Sequence, residues 1–167
     1  NSKNLNDEEY ERELFILRRK IEKRIPSNAK KDFYICSLSS KSIVYKGMFL
    51  AEQIDKFYPD LTHEEFISNF AIFHQRYSTN TFPTWSLAQP FRVLAHNGEI
   101  NTIQGNINWS VIHESKMSSE NLGENIKEIF PIIQDGSSDS AALDSFYELL
   151  LNCGKDWPMI KALTIPE

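Results

Sequence analysis

The chain has 167 residues, 41% of them apolar and 25% charged, a balance that suits one soluble domain with a buried core and excludes a disordered chain. Its 18 basic and 23 acidic side chains give a net charge of -5 with the two signs interspersed, so neither nucleic acid nor an anionic membrane is an expected partner. No apolar run reaches the ~20 residues that span a bilayer, and the two cysteines make neither a disulfide framework nor a metal knuckle, which points to a reducing compartment.

Tyr10, Leu14, Leu17, Ile21 and Ile25 recur at steps of four and three and predict a helix with one apolar face, opened by an Asn6/Glu9 capping box and stopped by Pro26. Acidic residues crowd its start and basic ones its end, as the helix dipole favours; the basic end reads as a solvated face rather than a phosphate site. Aromatic and β-branched residues over 33–38 and 42–46 predict two strands joined by a turn at Ser39-Ser40-Lys41, with Cys36 a structural thiol inside the first. Leu50, Ile54 and Phe57 predict a short helix before Pro59, with Thr62 placed to cap the turn at 63–65.

Alternation then predicts core strands over 70–76 and 92–96, separated by an ordered loop over 80–89 that holds Pro83 and Trp85. Asn97-Gly98 reads as a turn in which glycine permits positive φ and close backbone approach. Ile100, Ile103, Ile107 and Val111 restore a helical stripe, 114–125 is a polar loop and 126–133 a short apolar piece. Leu143, Phe146, Tyr147, Leu150 and Leu151 define a further helix, with Ser138 or Asp139 at its start and Cys153-Gly154 at its end.

Polar groups with chemical potential gather where these strands and helices end. An arginine pairs a carboxylate through two parallel hydrogen bonds and an aspartate accepts from an ammonium, so Arg76 and Asp139 together suit the two ends of an α-amino acid. The Asn97 side-chain N–H and the Gly98 backbone N–H are donors of the kind that stabilise a developing oxyanion, which would make an amide-cleaving site. Each also has a plainer reading: Asp139 as a helix cap, Asn97-Gly98 as a hairpin turn, Arg76 as a partner of a surface carboxylate. His74 and His96 read as core or supporting residues, and the four histidines lack any metal-ligand spacing. No nucleophile is in place, because neither Cys has an activating setting and no Ser lies in a Gly-x-Ser-x-Gly elbow.

The run His74-Gln75-Arg76-Tyr77-Ser78-Thr79-Asn80-Thr81-Phe82-Pro83-Thr84-Trp85, with Ala95-His96-Asn97-Gly98-Glu99-Ile100-Asn101-Thr102 after it, resembles the glutaminase domain of glutamate synthase, a class II glutamine amidotransferase. Phe33 to Ser40, Ile43 to Met48, Phe57 to Leu61, Asn106-x-Asn108-Trp109 and Ile165-Pro166-Glu167 are similar to it too, so residues 1–167 are read as a partial glutamine amidotransferase type-2 domain. The resemblance implies an α+β fold, the four-layer αββα sandwich of N-terminal nucleophile hydrolases, present as a fragment without its first strands and nucleophile. It implies that Arg76 binds the glutamine carboxylate, that Tyr77 and Thr79 line the pocket, that Asn97 and Gly98 form the oxyanion hole, and that Asp139 binds the ammonium.

The reaction so implied is hydrolysis of L-glutamine to glutamate and ammonia through a thioester on an N-terminal Cys that would precede Asn1, so the 167 residues alone are expected to be inactive. In the whole oxidoreductase, which serves glutamate biosynthesis and nitrogen assimilation, the ammonia joins 2-oxoglutarate. FMN and an iron–sulfur cluster belong to the remainder of that chain, with no cofactor or metal in this segment, and electrons come from an NADPH-oxidising small subunit or ferredoxin. The expected location is cytoplasmic, or the plastid of a photosynthetic eukaryote. The competing readings are a glutamine-binding module without catalysis, told apart by the absence of any such Cys in the parent, and another class II amidotransferase such as that of purine synthesis, told apart by a phosphoribosyl-binding domain downstream. A generic structural α+β domain would leave glutamine binding unchanged when Arg76 and Asp139 are replaced.

Overall fold

The computed structural model describes residues 4–26, 28–29, 33–75, 84–98, 100–134 and 136–165. Among them six α-helices run in chain order: α1 (Asp7–Arg24), α2 (Ile54–Phe57), α3 (Gln104–Glu114), α4 (Asn125–Glu128), α5 (Asp139–Asn152) and α6 (Trp157–Thr164). Helix α1 starts as its sequence dictates: Glu9 N–H donates to Asn6 Oδ1 and Asn6 N–H to Glu9 Oε2, both at 2.9 Å, satisfying two otherwise orphaned donors. Helix α5 is capped by Ser138, whose hydroxyl accepts from Ala141 N–H at 3.2 Å. It closes at Cys153 before Gly154, whose φ of +84° is the left-handed conformation glycine adopts without a Cβ penalty. Helix α6 has no counterpart in the sequence reading, yet its signals are present: Asp156 accepts from Met159 N–H, a proline stands in the first turn and Ile160 is fully buried.

The core is built by helices. Phe15 and Ile16 of α1 pack with Leu122, Ile126, Ile129, Ile132 and Leu149, while Leu143 and Tyr147 of α5 close over Ile160 of α6. The face of α1 expected to be buried is not the one that is. Tyr10 and Leu17 are 46% and 50% exposed, and the buried side carries Arg18, Arg19 and Glu22 beside Phe15 and Ile16. The basic end of α1 is therefore not a wholly solvated face. Glu22 sits between three guanidiniums, 2.8 Å from Arg18, 3.0 Å from Arg19 and 3.1 Å from Arg92, and Arg18 also pairs with Glu148 of α5. Burial would push the Glu22 carboxyl up, but Arg18, Arg92 and Arg19 outweigh it and hold the pKa below the usual carboxylate value. Arg19 Nη2 donates to the carbonyls of Ile129, Pro131 and Ile132, which ties α1 to the segment after α4.

The four predicted strands do not form among the described residues: 33–38, 42–46, 70–75 and 92–96 carry no ladder. Alternation marks a surface suited to a sheet but cannot supply a partner, and an unpaired strand gains no ladder hydrogen bonds. Side chains hold three of these segments instead. Lys46 Nζ lies 4.8 Å from the Tyr34 ring and 4.4 Å from that of Phe91, the Arg92 guanidinium stands 4.5 Å over Tyr34, and Lys46 donates to Ser86 O at 3.1 Å. Burial pushes the Lys46 ammonium down to about 8. The turn at 39–41 is present, with Ser39 Oγ accepting from Lys41 N–H at 3.0 Å. Thr62 does not cap the turn at 63–65; its hydroxyl donates back to Pro59 O. Segment 66–73 stays open, with Phe70 76% and Phe73 85% exposed.

Candidate functional site

Helix α5 positions the site through a stripe of polar residues four apart. Ser140, Asp144 and Glu148 share one face, because residues at that spacing stack one turn above another. Glu148 meets Arg18 and so anchors the stripe in the charge cluster of α1. Asp144, buried, accepts from the backbone N–H groups of Val93 at 2.9 Å, Leu94 at 3.0 Å and, more weakly, Arg92 at 3.4 Å. Burial, with Glu148 nearby, pushes its carboxyl up to about 6 against the opposing pull of these N–H groups and of Arg92. Segment 92–94 is thus fastened to α5 by one carboxylate where a neighbouring strand was expected.

Two residues further on, the chain reaches the expected catalytic groups. His96 N–H donates to Gln89 Oε1 at 2.9 Å, and His96 Nε2 lies 2.8 Å from Ser140 Oγ at the start of α5. The Ser140 N–H and hydroxyl in turn reach Asp139 Oδ1 at 2.6 and 3.3 Å, so Asp139, Ser140 and His96 form one hydrogen-bonded chain. Asn97 follows, exposed, with Oδ1 at 2.8 Å from His74 Nε2. His74, His96, Gln89 and Asn97 line a depression of about 170 Å³. A larger hollow of about 270 Å³ lies between α3, α5 and α6, but its walls are mainly apolar and include none of the expected site residues.

Of the six site residues expected from sequence, the structure therefore brings Asn97, Gly98 and Asp139 to one region, linked through His96 and Ser140. Arg76, Tyr77 and Thr79 lie outside the described residues. Gly98 differs from its expected conformation. The glycines with positive φ among the described residues are Gly123, Gly136 and Gly154, and a Cβ at Gly98 would meet only His96 Nδ1, at an ordinary 3.5 Å. Neither a left-handed turn nor a hairpin accounts for Asn97-Gly98. The polar stripe of α5 is hard to see in the sequence because the apolar stripe of the same helix dominates its pattern; Ser140, Asp144 and Glu148 at steps of four were the available signal.

The two thiols are quiet. Burial pushes both Cys36 and Cys153 above the ordinary thiol value, the opposite of what activates a nucleophile. Among the described residues no three His, Cys, Asp or Glu side chains are grouped to hold a metal ion, and no helix is long and apolar enough to cross a membrane.

Residues 1–167 match the family of class-II glutamine amidotransferases. The chain belongs to that family. It is similar to the large chain of the NADPH glutamate synthase of Azospirillum brasilense, at 54% identity over the whole of this chain and 11% of that protein. The ferredoxin-dependent glutamate synthase of Antithamnion sp. is 47% identical over 99% of this chain and 11% of its own length. The NADH glutamate synthase of Schizosaccharomyces pombe is 46% identical over 95% of this chain and 7% of its own. The amidotransferase chain thus spans about a tenth of the length of the curated relatives it matches.

Proposed function

We propose that this chain is part of the glutaminase domain of a glutamate synthase and contributes the pocket in which the side-chain amide of L-glutamine is cleaved. The observation that supports the reading is the hydrogen-bonded chain from Asp139 through Ser140 to His96, the residue that precedes Asn97 and Gly98, within a class-II amidotransferase. In this reading Asp139 accepts from the substrate ammonium and Arg76 pairs with its carboxylate, while Tyr77 and Thr79 line the pocket. The thiol of an N-terminal Cys of the mature parent gives its proton to its own α-amino group and attacks the amide carbon, and Asn97 Nδ2–H and Gly98 N–H receive the developing oxyanion. The α-amino group passes that proton to the leaving nitrogen as the C–N bond breaks and ammonia departs, and water then releases glutamate from the thioester.

The complete domain adopts the αββα sandwich, in which 33–46 and 70–75 find the ladder partners they lack among the described residues; the exposed apolar residues Phe70, Ile72 and Phe73 support this. In this reading the iron–sulfur cluster and FMN belong to the rest of the parent. That remainder joins the ammonia to 2-oxoglutarate with electrons from an NADPH-oxidising subunit or ferredoxin, in the cytoplasm or a plastid. The test is glutamine hydrolysis by the full-length parent, with N-terminal sequencing of its mature form. A mature N-terminal Cys, loss of ammonia release on alkylation by a glutamine analogue, and a rise of about tenfold or more in KM for Asp139→Asn are expected. Ammonia release that survives alkylation, or a mature parent without that Cys, would overturn the reading.

A further inference from the structure

We infer that His74 is a positioning residue for Asn97, fixing which end of its carboxamide faces the substrate; the inference rests on the oxyanion role proposed for Asn97. A carboxamide has one end that only accepts and one that only donates. An oxyanion needs the donating end, and the two orientations have nearly the same shape, so something must select between them. His74 Nε2, at 2.8 Å from Asn97 Oδ1, does so when it carries the ring proton: it donates to the oxygen and leaves the Nδ2 hydrogens as the outward group. Both side chains line the same depression and both are exposed, and among the described residues the hydrogen bond made by the Asn97 side chain is this one. The backbone before Asn97 is secured at Val93 and Leu94 by Asp144 and at His96 by Gln89, and the His96 ring meets Ser140.

Selection of this kind acts on the transition state more than on bound substrate, because the charge that Nδ2–H meets develops only as the amide carbon is attacked. Replacing His74 by leucine in the full-length parent is expected to lower kcat for glutamine hydrolysis about tenfold, the effect of one hydrogen bond lost, with KM within about twofold. Gln places an amide N–H near the position of Nε2, so His74→Gln restores most of kcat. With Asn97→Ala already present, His74→Leu changes kcat by less than about twofold, since there is no amide left to orient. Asn97→Ala lowering kcat while His74→Leu leaves it unchanged would sink the inference and spare the oxyanion reading. The inference falls likewise if His74→Leu is equally harmful in the Asn97→Ala background or if His74→Gln gives no rescue. An Asn97→Ala variant with unchanged kcat would bring down both.

Discussion

The two halves of the molecule make opposite use of their side chains. Around α1 and α5, Arg18, Arg19 and Glu22 are buried beside Phe15, Ile16 and Leu149, with Arg92 and Glu148 half-buried against them, whereas Ile67, Phe70, Ile72 and Phe73 stand in solvent. Hydropathy would have placed them the other way round. The difference shows that burial follows the availability of partners: Glu22 gives its arginine neighbours an opposite charge, and the 66–73 segment has no strand beside it among the described residues. The site lies on the border between these halves and takes its order from the packed one, through α5.

The sharpest way to break this contrast is to remove Glu22. Glu22→Ala leaves Arg18, Arg19 and Arg92 short of a counter-charge and is expected to cost about 3–5 kcal/mol in denaturant unfolding; a cost below about 1 kcal/mol would mean that the cluster is solvated after all. Apolar truncation separates the halves more directly. Leu149→Ala, at a residue 1% exposed, is expected to lower stability by about 2–5 kcal/mol, and Phe73→Ala to change it by no more than about 0.5 kcal/mol in the same chain.

The most specific effect is one of pH. Asp144 holds its proton to about pH 6 in the folded chain but only to 3.8 when unfolded, so between those values the folded state binds more protons. Stability therefore falls as pH rises through that window, by roughly 2–3 kcal/mol in all. Asp144→Asn keeps an oxygen for Val93 and Leu94 N–H and has no charge to bury, so its unfolding free energy should lack this fall. A variant with the same pH dependence as the parent sequence would assign the effect to another group.

Helices with a local cause were legible in the sequence. The Asn6/Glu9 box, the Ser138 cap and the Cys153-Gly154 stop were each written within a few residues, and each is where it was expected. Features that depended on distant residues were not. Arg18 and Arg19 counted as surface because their partners, Glu148 and the carbonyls of 129–132, lie more than a hundred positions away. The strand segments failed for the same reason, since a ladder is a property of two segments. At the candidate site, residue type together with the family resemblance singled out Asn97, Gly98 and Asp139, while Asp144, which holds the backbone before Asn97, carried no mark beyond its spacing from Ser140.

The three rungs of α5 differ in how freely they can be inherited. Glu148 answers to a side chain, so an exchange of charge with Arg18 can be matched by a second substitution, and the pair can drift together over lineages. Ser140 answers to His96 and has the same latitude. Asp144 answers to backbone N–H groups, which every residue but proline supplies alike, so no compensating side-chain exchange exists for it. Among related chains the first and last rungs should vary as matched pairs, and the middle one should admit only another short acceptor.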